Sequence, residues 1–207
     1  MKIIPGILAT TFREYKDMLE RVQWAKTIHL DVMDGTFVPN KTIQALSIKK
    51  AVPPMKTQIH LMAHNPHRYI NAFARMGAME FIFHVEATDH VLEIIEDIQK
   101  AGMSAGIAFN PKTKPAQYKE AILNADLALV MTINPGYSRQ PFMKQPLRKI
   151  EQIKKVNPAI SIGVDGGLND TSCKLVSDAG ADWAVATSSV TLADDPKRAY
   201  HTLTRCK

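Results

Sequence analysis

Apolar residues gather in eight short runs, about 2–8, 27–33, 57–62, 81–86, 104–110, 127–133, 160–165 and 183–189. Between them the apolar positions change to helical spacing. Met18, Leu19, Val22 and Ala25 share one helical face, and Val91, Leu92, Ile94, Ile95 and Ile98 a second. Leu147, Ile150 and Ile153 with Lys154 make a third, and Leu175, Val176 and Ala179 a fourth. Gly77, Gly102 and Gly180 follow three such stretches, where a left-handed residue stops a helix. Strand and helix alternate eight times, which predicts a parallel sheet covered by helices. An open doubly wound sheet and a closed barrel both fit that alternation. Eight units in 207 residues leave no room for a second domain. The expectation is therefore an α/β fold, a TIM (β/α)8 barrel, as one domain over residues 1–207.

The polar residues inside the runs fall late in them: His29, Asp31, His60, His84, Glu86, Asn110, Asn134 and Asp165. Active sites of such barrels lie at the C-terminal ends of the strands. In the segment His29-Leu30-Asp31-Val32-Met33-Asp34-Gly35, extended geometry turns His29, Asp31 and Met33 to one face and Leu30 and Val32 to the other. His29, Asp31, His60 and Asp165 come from three strands that converge at one mouth. Two imidazoles and two carboxylates suit one divalent metal ion: Zn, Fe(II), Mn or Co. A cation offsets the cost of burying the carboxylates, whereas any one histidine alone reads as a hydrogen-bonded core residue.

Asp31 and Asp165 are also candidates for paired acid–base work. Two carboxylates flanking one carbon can take a proton from one face and return it to the other, through an enediolate and with coupled titration. The alternative is that both only hold a metal that activates water for hydrolysis; spacing does not separate the two. Met33, Met62 and Met131 fall near strand ends, where thioethers can line a substrate plane without offering protons, although core filling is the ordinary use of methionine. Gly166-Gly167, Thr187-Ser188-Ser189 and Asn134-Pro135-Gly136-Tyr137 place backbone N–H groups and hydroxyls where barrels often hold phosphate.

The chain carries a net charge of +6. Its lysines and arginines are scattered, and no basic stripe interleaves with aromatic residues, which argues against a nucleic-acid partner. A positive field favours an anionic small molecule. No apolar run approaches a membrane span, and the first residues lack a signal-peptide pattern, so the expected setting is cytoplasmic with no membrane partner. Cys173 and Cys206 read as ordinary thiols in a reducing compartment.

Together these residues resemble the ribulose-phosphate 3-epimerases and the related enzymes that epimerise hexulose 6-phosphates such as D-allulose 6-phosphate. The matching segments are His29–Gly35 with Phe37-Val38-Pro39-Asn40, His60-Leu61-Met62 with Asn65-Pro66, and Asn110-Pro111. They continue with Val130-Met131-Thr132, Asn134-Pro135-Gly136 and Val164-Asp165-Gly166-Gly167, so the resemblance runs the length of the chain. It implies an isomerase of the pentose phosphate pathway that acts on a phosphorylated ketose, a homo-oligomer with a ribulose-phosphate-binding barrel. It further implies that His29, Asp31, His60 and Asp165 bind the metal and that Asp31 and Asp165 are the acid–base pair. Met33, Met62 and Met131 would cap the intermediate. Phosphate would be held by the loop after the sixth strand, by Gly166 and Gly167, and by the end of the eighth.

The chain also departs from that pattern. Gly6 stands where the family carries serine, so a substrate-contacting hydroxyl is missing. The loop after the sixth strand reads Pro135-Gly136-Tyr137-Ser138-Arg139-Gln140, with Ser138 and Arg139 in place of two glycines, and Thr187-Ser188 replaces Gly-Ser. Thr36, Ile43 and Gln44 also replace the usual residues. Arg139 either supplies a bidentate phosphate contact or points to solvent. An active epimerase and a weakly catalytic paralogue that binds or senses a sugar phosphate both accommodate these changes. Aldol or decarboxylation chemistry is disfavoured because no lysine stands at the strand ends.

Overall fold

Eight parallel strands close into a barrel in chain order, with the last paired back to the first, in a computed structural model whose described residues are 1–136 and 140–206. The strands are β1 (Lys2–Ile7), β2 (Thr27–Met33), β3 (Lys56–Met62), β4 (Glu80–His84), β5 (Ser104–Phe109), β6 (Leu127–Met131), β7 (Ser161–Asp165) and β8 (Trp183–Ala186). One helix follows each: α1 (Phe12–Arg21), α2 (Ala45–Ile48), α3 (His67–Ala74), α4 (Val91–Lys100), α5 (Lys119–Asn124), α6 (Arg148–Val156), α7 (Asp170–Asp178) and α8 (Pro196–Thr204). The expected TIM (β/α)8 barrel is the fold found. Gly77, Gly102 and Gly180 adopt φ of 79°, 84° and 89°, the left-handed stops that the pattern required.

Five strands end earlier than the apolar runs suggested, and two of them pass straight into helical turns. The fourth stops at His84, and Val85–Ala87 makes a 3-10 turn. The eighth stops at Ala186, and Thr187–Thr191 winds into a π-helical turn. Hydrogen bonds explain the second change. The Thr191 hydroxyl donates to the Gly6 carbonyl at 2.7 Å, and the Leu192 N–H donates to the Thr187 carbonyl at 3.2 Å. The helical faces are buried or half-buried, except that Leu92 lies 42% exposed beside buried Ile94, Ile95 and Ile98.

Strand parity sorts the core into two layers. Ile28, Leu30, Ile59, Phe81 and Ile107 face outward and pack under Tyr15, Phe73, Ile98, Ile153 and Val176 of the helices. Each such side chain contributes roughly 1.5–3 kcal/mol on burial. Inside the barrel Ile4, Ile82, Leu127, Leu129, Trp183 and Val185 form a separate apolar cluster. A Cβ on Gly163 would lie 2.3 Å from the Trp183 ring, so that glycine makes room for the indole. This apolar filling leaves the polar inward residues for the C-terminal mouth. Among the described residues no helix is long and apolar enough to cross a membrane.

Candidate active site

Register brings the site together. In the β2–β3 pair Asp31 is opposite His60, Met33 opposite Met62, and His29 opposite Gln58. In the β6–β7 pair Met131 is opposite Asp165. Barrel closure then brings β7 and β2 to one axis, with β8 and β1 between them. One ligand atom from each of His29, Asp31, His60 and Asp165 lies within 4.8 Å of all the others. All four residues are buried. His60 Nδ1 is 2.9 Å from Asp31 Oδ1 and 3.6 Å from Asp165 Oδ2, and His29 Nε2 is 3.5 Å from Asp31 Oδ1.

The two carboxylates are biased in opposite directions. Burial opposes charge on Asp31, but hydrogen bonds and charge from His29 and His60 outweigh it and hold the group well below the usual carboxylate range. Burial, reinforced by the Asp31 charge, pushes Asp165 up to about 7. Burial also lowers His60 to about 4 against the pull of Asp31. For His29 burial resists the charged form, yet the nearby Asp31 carboxylate prevails and the direction is upward.

A divalent cation fits this donor set. His29 Nε2 is buried without a hydrogen-bond partner and faces the cluster. Each such orphan costs stability unless something accepts its lone pair.

A cleft open to solvent lies above the cluster, at the mouth of the barrel. Met33, Met62 and Met131 line it, as do Gly136, Gly166, Gly167, Thr187 and Ser188, so these predicted contact residues converge. Its lining includes no lysine. Gly136 and Gly166 have φ of 117° and 112°, open only to glycine at low cost. Thr132 secures the second bend: its hydroxyl donates to the Asp165 carbonyl at 3.0 Å and the Gly166 carbonyl at 2.5 Å. Ser138 and Arg139 lie outside the described residues.

Gly6 packs directly against Thr187. A Cβ at position 6 would lie 2.0 Å from Thr187 Oγ1. The threonine hydroxyl therefore occupies the volume that a side chain on β1 would take.

Several residues of the site escaped the sequence reading. Thr42 ties the loop after β2 down, its hydroxyl donating to the Asp31 carbonyl at 3.0 Å and accepting from the Met33 N–H at 2.9 Å. His84 was noted only as a late polar residue. Its Nε2 is 2.9 Å from His60 Nε2, and its Nδ1 is 3.3 Å from Glu86 Oε2. Glu86 Oε1 accepts from the Asn110 N–H at 2.9 Å and from the Thr113 hydroxyl. The buried Lys149 ammonium donates to the Asn110 carbonyl, and burial lowers it to about 8 although the nearby Glu86 opposes the shift. The discoverable signal was parity, since His84 faces inward two residues ahead of Glu86.

The chain is similar over its length to known proteins. The profile described as the ribulose-phosphate 3 epimerase family matches residues 2–191. The ribulose-phosphate 3-epimerase of Bacillus subtilis is 39% identical over 209 residues, covering 96% of both chains. That of Mycobacterium tuberculosis is 38% identical, covering 98% of this chain and 91% of its own. Among solved structures, a 3-hexulose-6-phosphate synthase from Salmonella typhimurium superposes with a TM-score of 0.73 at 20% identity, covering 100% of this chain and 98% of its own, a likeness of fold.

Proposed function

Because the chain belongs to the ribulose-phosphate 3-epimerase family, a family of isomerases acting on carbohydrates, we propose that it inverts C3 of a ketose phosphate by two-aspartate proton transfer. The substrate is D-ribulose 5-phosphate, converted to D-xylulose 5-phosphate, or a related ketose phosphate. The observation that carries this reading is the convergence of two buried carboxylates with opposite protonation bias, one favouring the base form and one the acid form.

Ionised Asp31 takes the C3 proton. The C–H electron pair moves into the C2–C3 bond, and the C2 carbonyl oxygen takes the negative charge, giving an enediolate. Protonated Asp165 then delivers its proton to C3 from the other face, the double bond reverts to the carbonyl, and configuration is inverted. In the reverse direction the two acids exchange roles. His29, Asp31, His60 and Asp165 would hold a divalent cation, whose chemistry when bound is to neutralise charge developing on the substrate oxygens. Met33, Met62 and Met131 cover the enediolate plane with groups that neither donate nor accept its protons. Gly136, Gly166, Gly167, Thr187 and Ser188, with Ser138 and Arg139, form the phosphate-binding and substrate-binding shell. The same reading makes the protein a cytoplasmic homo-oligomer, and sedimentation velocity tests its assembly.

The deciding experiment is proton NMR of D-ribulose 5-phosphate in D₂O with Zn(II)- or Fe(II)-loaded protein and a chelated control. Loss of the C3 proton signal with formation of xylulose 5-phosphate is expected, and Asp165→Asn lowers that rate by roughly 10²–10⁴. Exchange surviving in Asp165→Asn at near the parent rate refutes the two-base scheme. A metal-loaded protein inert toward both pentulose and hexulose phosphates is a binding protein instead.

A further inference from the structure

His29 is held from behind as well as from the cleft side. Its Nδ1 is 2.5 Å from Gln58 Oε1, across the β2–β3 pair, and Gln58 Nε2 is 2.5 Å from Glu80 Oε2 at the start of β4. Gln58 is 1% exposed and His29 fully buried, so water does not compete for these groups. The direction of the chain follows from the chemistry of its last member. A carboxylate only accepts, so the Gln58 end facing Glu80 is the NH₂ group. The other end of the amide is then a carbonyl oxygen, which also only accepts. His29 Nδ1 must carry the proton that it receives. In the neutral ring the lone pair is therefore on Nε2, the atom that has no partner and faces Asp31.

From this we infer that Gln58 and Glu80 are positioning residues that fix the tautomer and ring orientation of His29 for metal binding. A neutral amide passes the constraint on, and the negative charge stays at the lower, partly exposed rim of the barrel. This inference rests on the metal reading of the site. Groups that orient a ligating imidazole in this way typically account for 10–100-fold in metal affinity.

The test uses the full-length protein, zinc-loaded and zinc-free at pH 9. Long-range proton–nitrogen NMR of the imidazoles reads the tautomer, and competition with a chromophoric chelator reads Zn(II) affinity. The parent is expected to carry the His29 proton on Nδ1 in both states. Gln58→Met, close to isosteric but without the acceptor, is expected to show a mixed tautomer in the zinc-free state and to bind Zn(II) about 10–100-fold more weakly. Glu80→Gln lets the Gln58 amide turn over and is expected to weaken Zn(II) at least roughly threefold, the lower part of the same effect. This variant decides the matter if Gln58→Met fails to fold. A His29 proton found on Nε2 in the parent, or variants that bind Zn(II) within about twofold of the parent, overturn the relay while leaving the metal site standing. A folded parent that binds no Zn(II) overturns the metal reading and the relay with it.

Discussion

Position 6 shows how tightly single side chains are specified at the mouth. A Cβ there meets Thr187 Oγ1 at 2.0 Å and Val185 Cγ1 at 2.9 Å, so Gly6→Ser must displace the threonine hydroxyl. Overpacking of this kind costs about 1–3 kcal/mol. Gly6→Ser combined with Thr187→Gly should recover most of that loss, giving a coupling energy of at least about 1 kcal/mol in a double-mutant cycle followed by chemical denaturation. Gly163→Ala should be destabilised to a similar degree, about 1–3 kcal/mol, because its Cβ enters the Trp183 ring. At this scale the ligands were legible and their supports were not. His29, Asp31 and His60 announce themselves because charged or polar groups at inward strand positions have few other uses. Gln58 gave no such signal. A glutamine early in a strand is ordinary, and its value comes from facing His29 across the β2–β3 pair, a relation that only register creates. The Thr187 hydroxyl was equally hidden, since the contact joins residues at opposite ends of the chain.

Among the elements, the turn from β7 into α7 carries two glycines that line the cleft, Gly166 and Gly167. Asn169 caps α7, its side-chain oxygen accepting from the Thr171 and Ser172 N–H groups at 2.9 and 3.0 Å. The Ser172 hydroxyl donates to the Gly167 carbonyl at 2.9 Å, so the cap and the Gly166-Gly167 bend form one unit. Asn169→Ala should lower stability by about 1 kcal/mol. It should also raise KM for the sugar phosphate more than it lowers kcat, which steady-state kinetics will show. The sequence placed all eight strands because a period of two broken by a helical period is a strong signal. It ran β8 on to Ser189 because Thr, Ser and Val suit a strand locally, whereas the π-helical turn is held by the remote Thr191–Gly6 hydrogen bond.

The whole barrel couples the site to global stability through protons. Asp165 titrates near 3.8 when unfolded and near 7 when folded. In the metal-free protein its contribution is complete below pH 3.8 and is lost as pH rises through 7. His60 acts in the opposite sense. It titrates near 6.5 when unfolded and near 4 when folded, so its contribution is present above 6.5 and lost as pH falls through 4. The difference between Asp165→Asn and the parent isolates the first effect. By differential scanning calorimetry, the Tm of metal-free Asp165→Asn should gain on the parent by roughly 5 °C between pH 4 and 7 and level off above that.

The interlock of Gly6 with Thr187 also constrains the history of the chain. A serine on β1 with a glycine on β8, and a glycine on β1 with a threonine on β8, each leave room for one side chain at that contact, whereas two side chains collide. Single substitutions connect them only through an ancestor with both hydroxyls crowded together or one with neither.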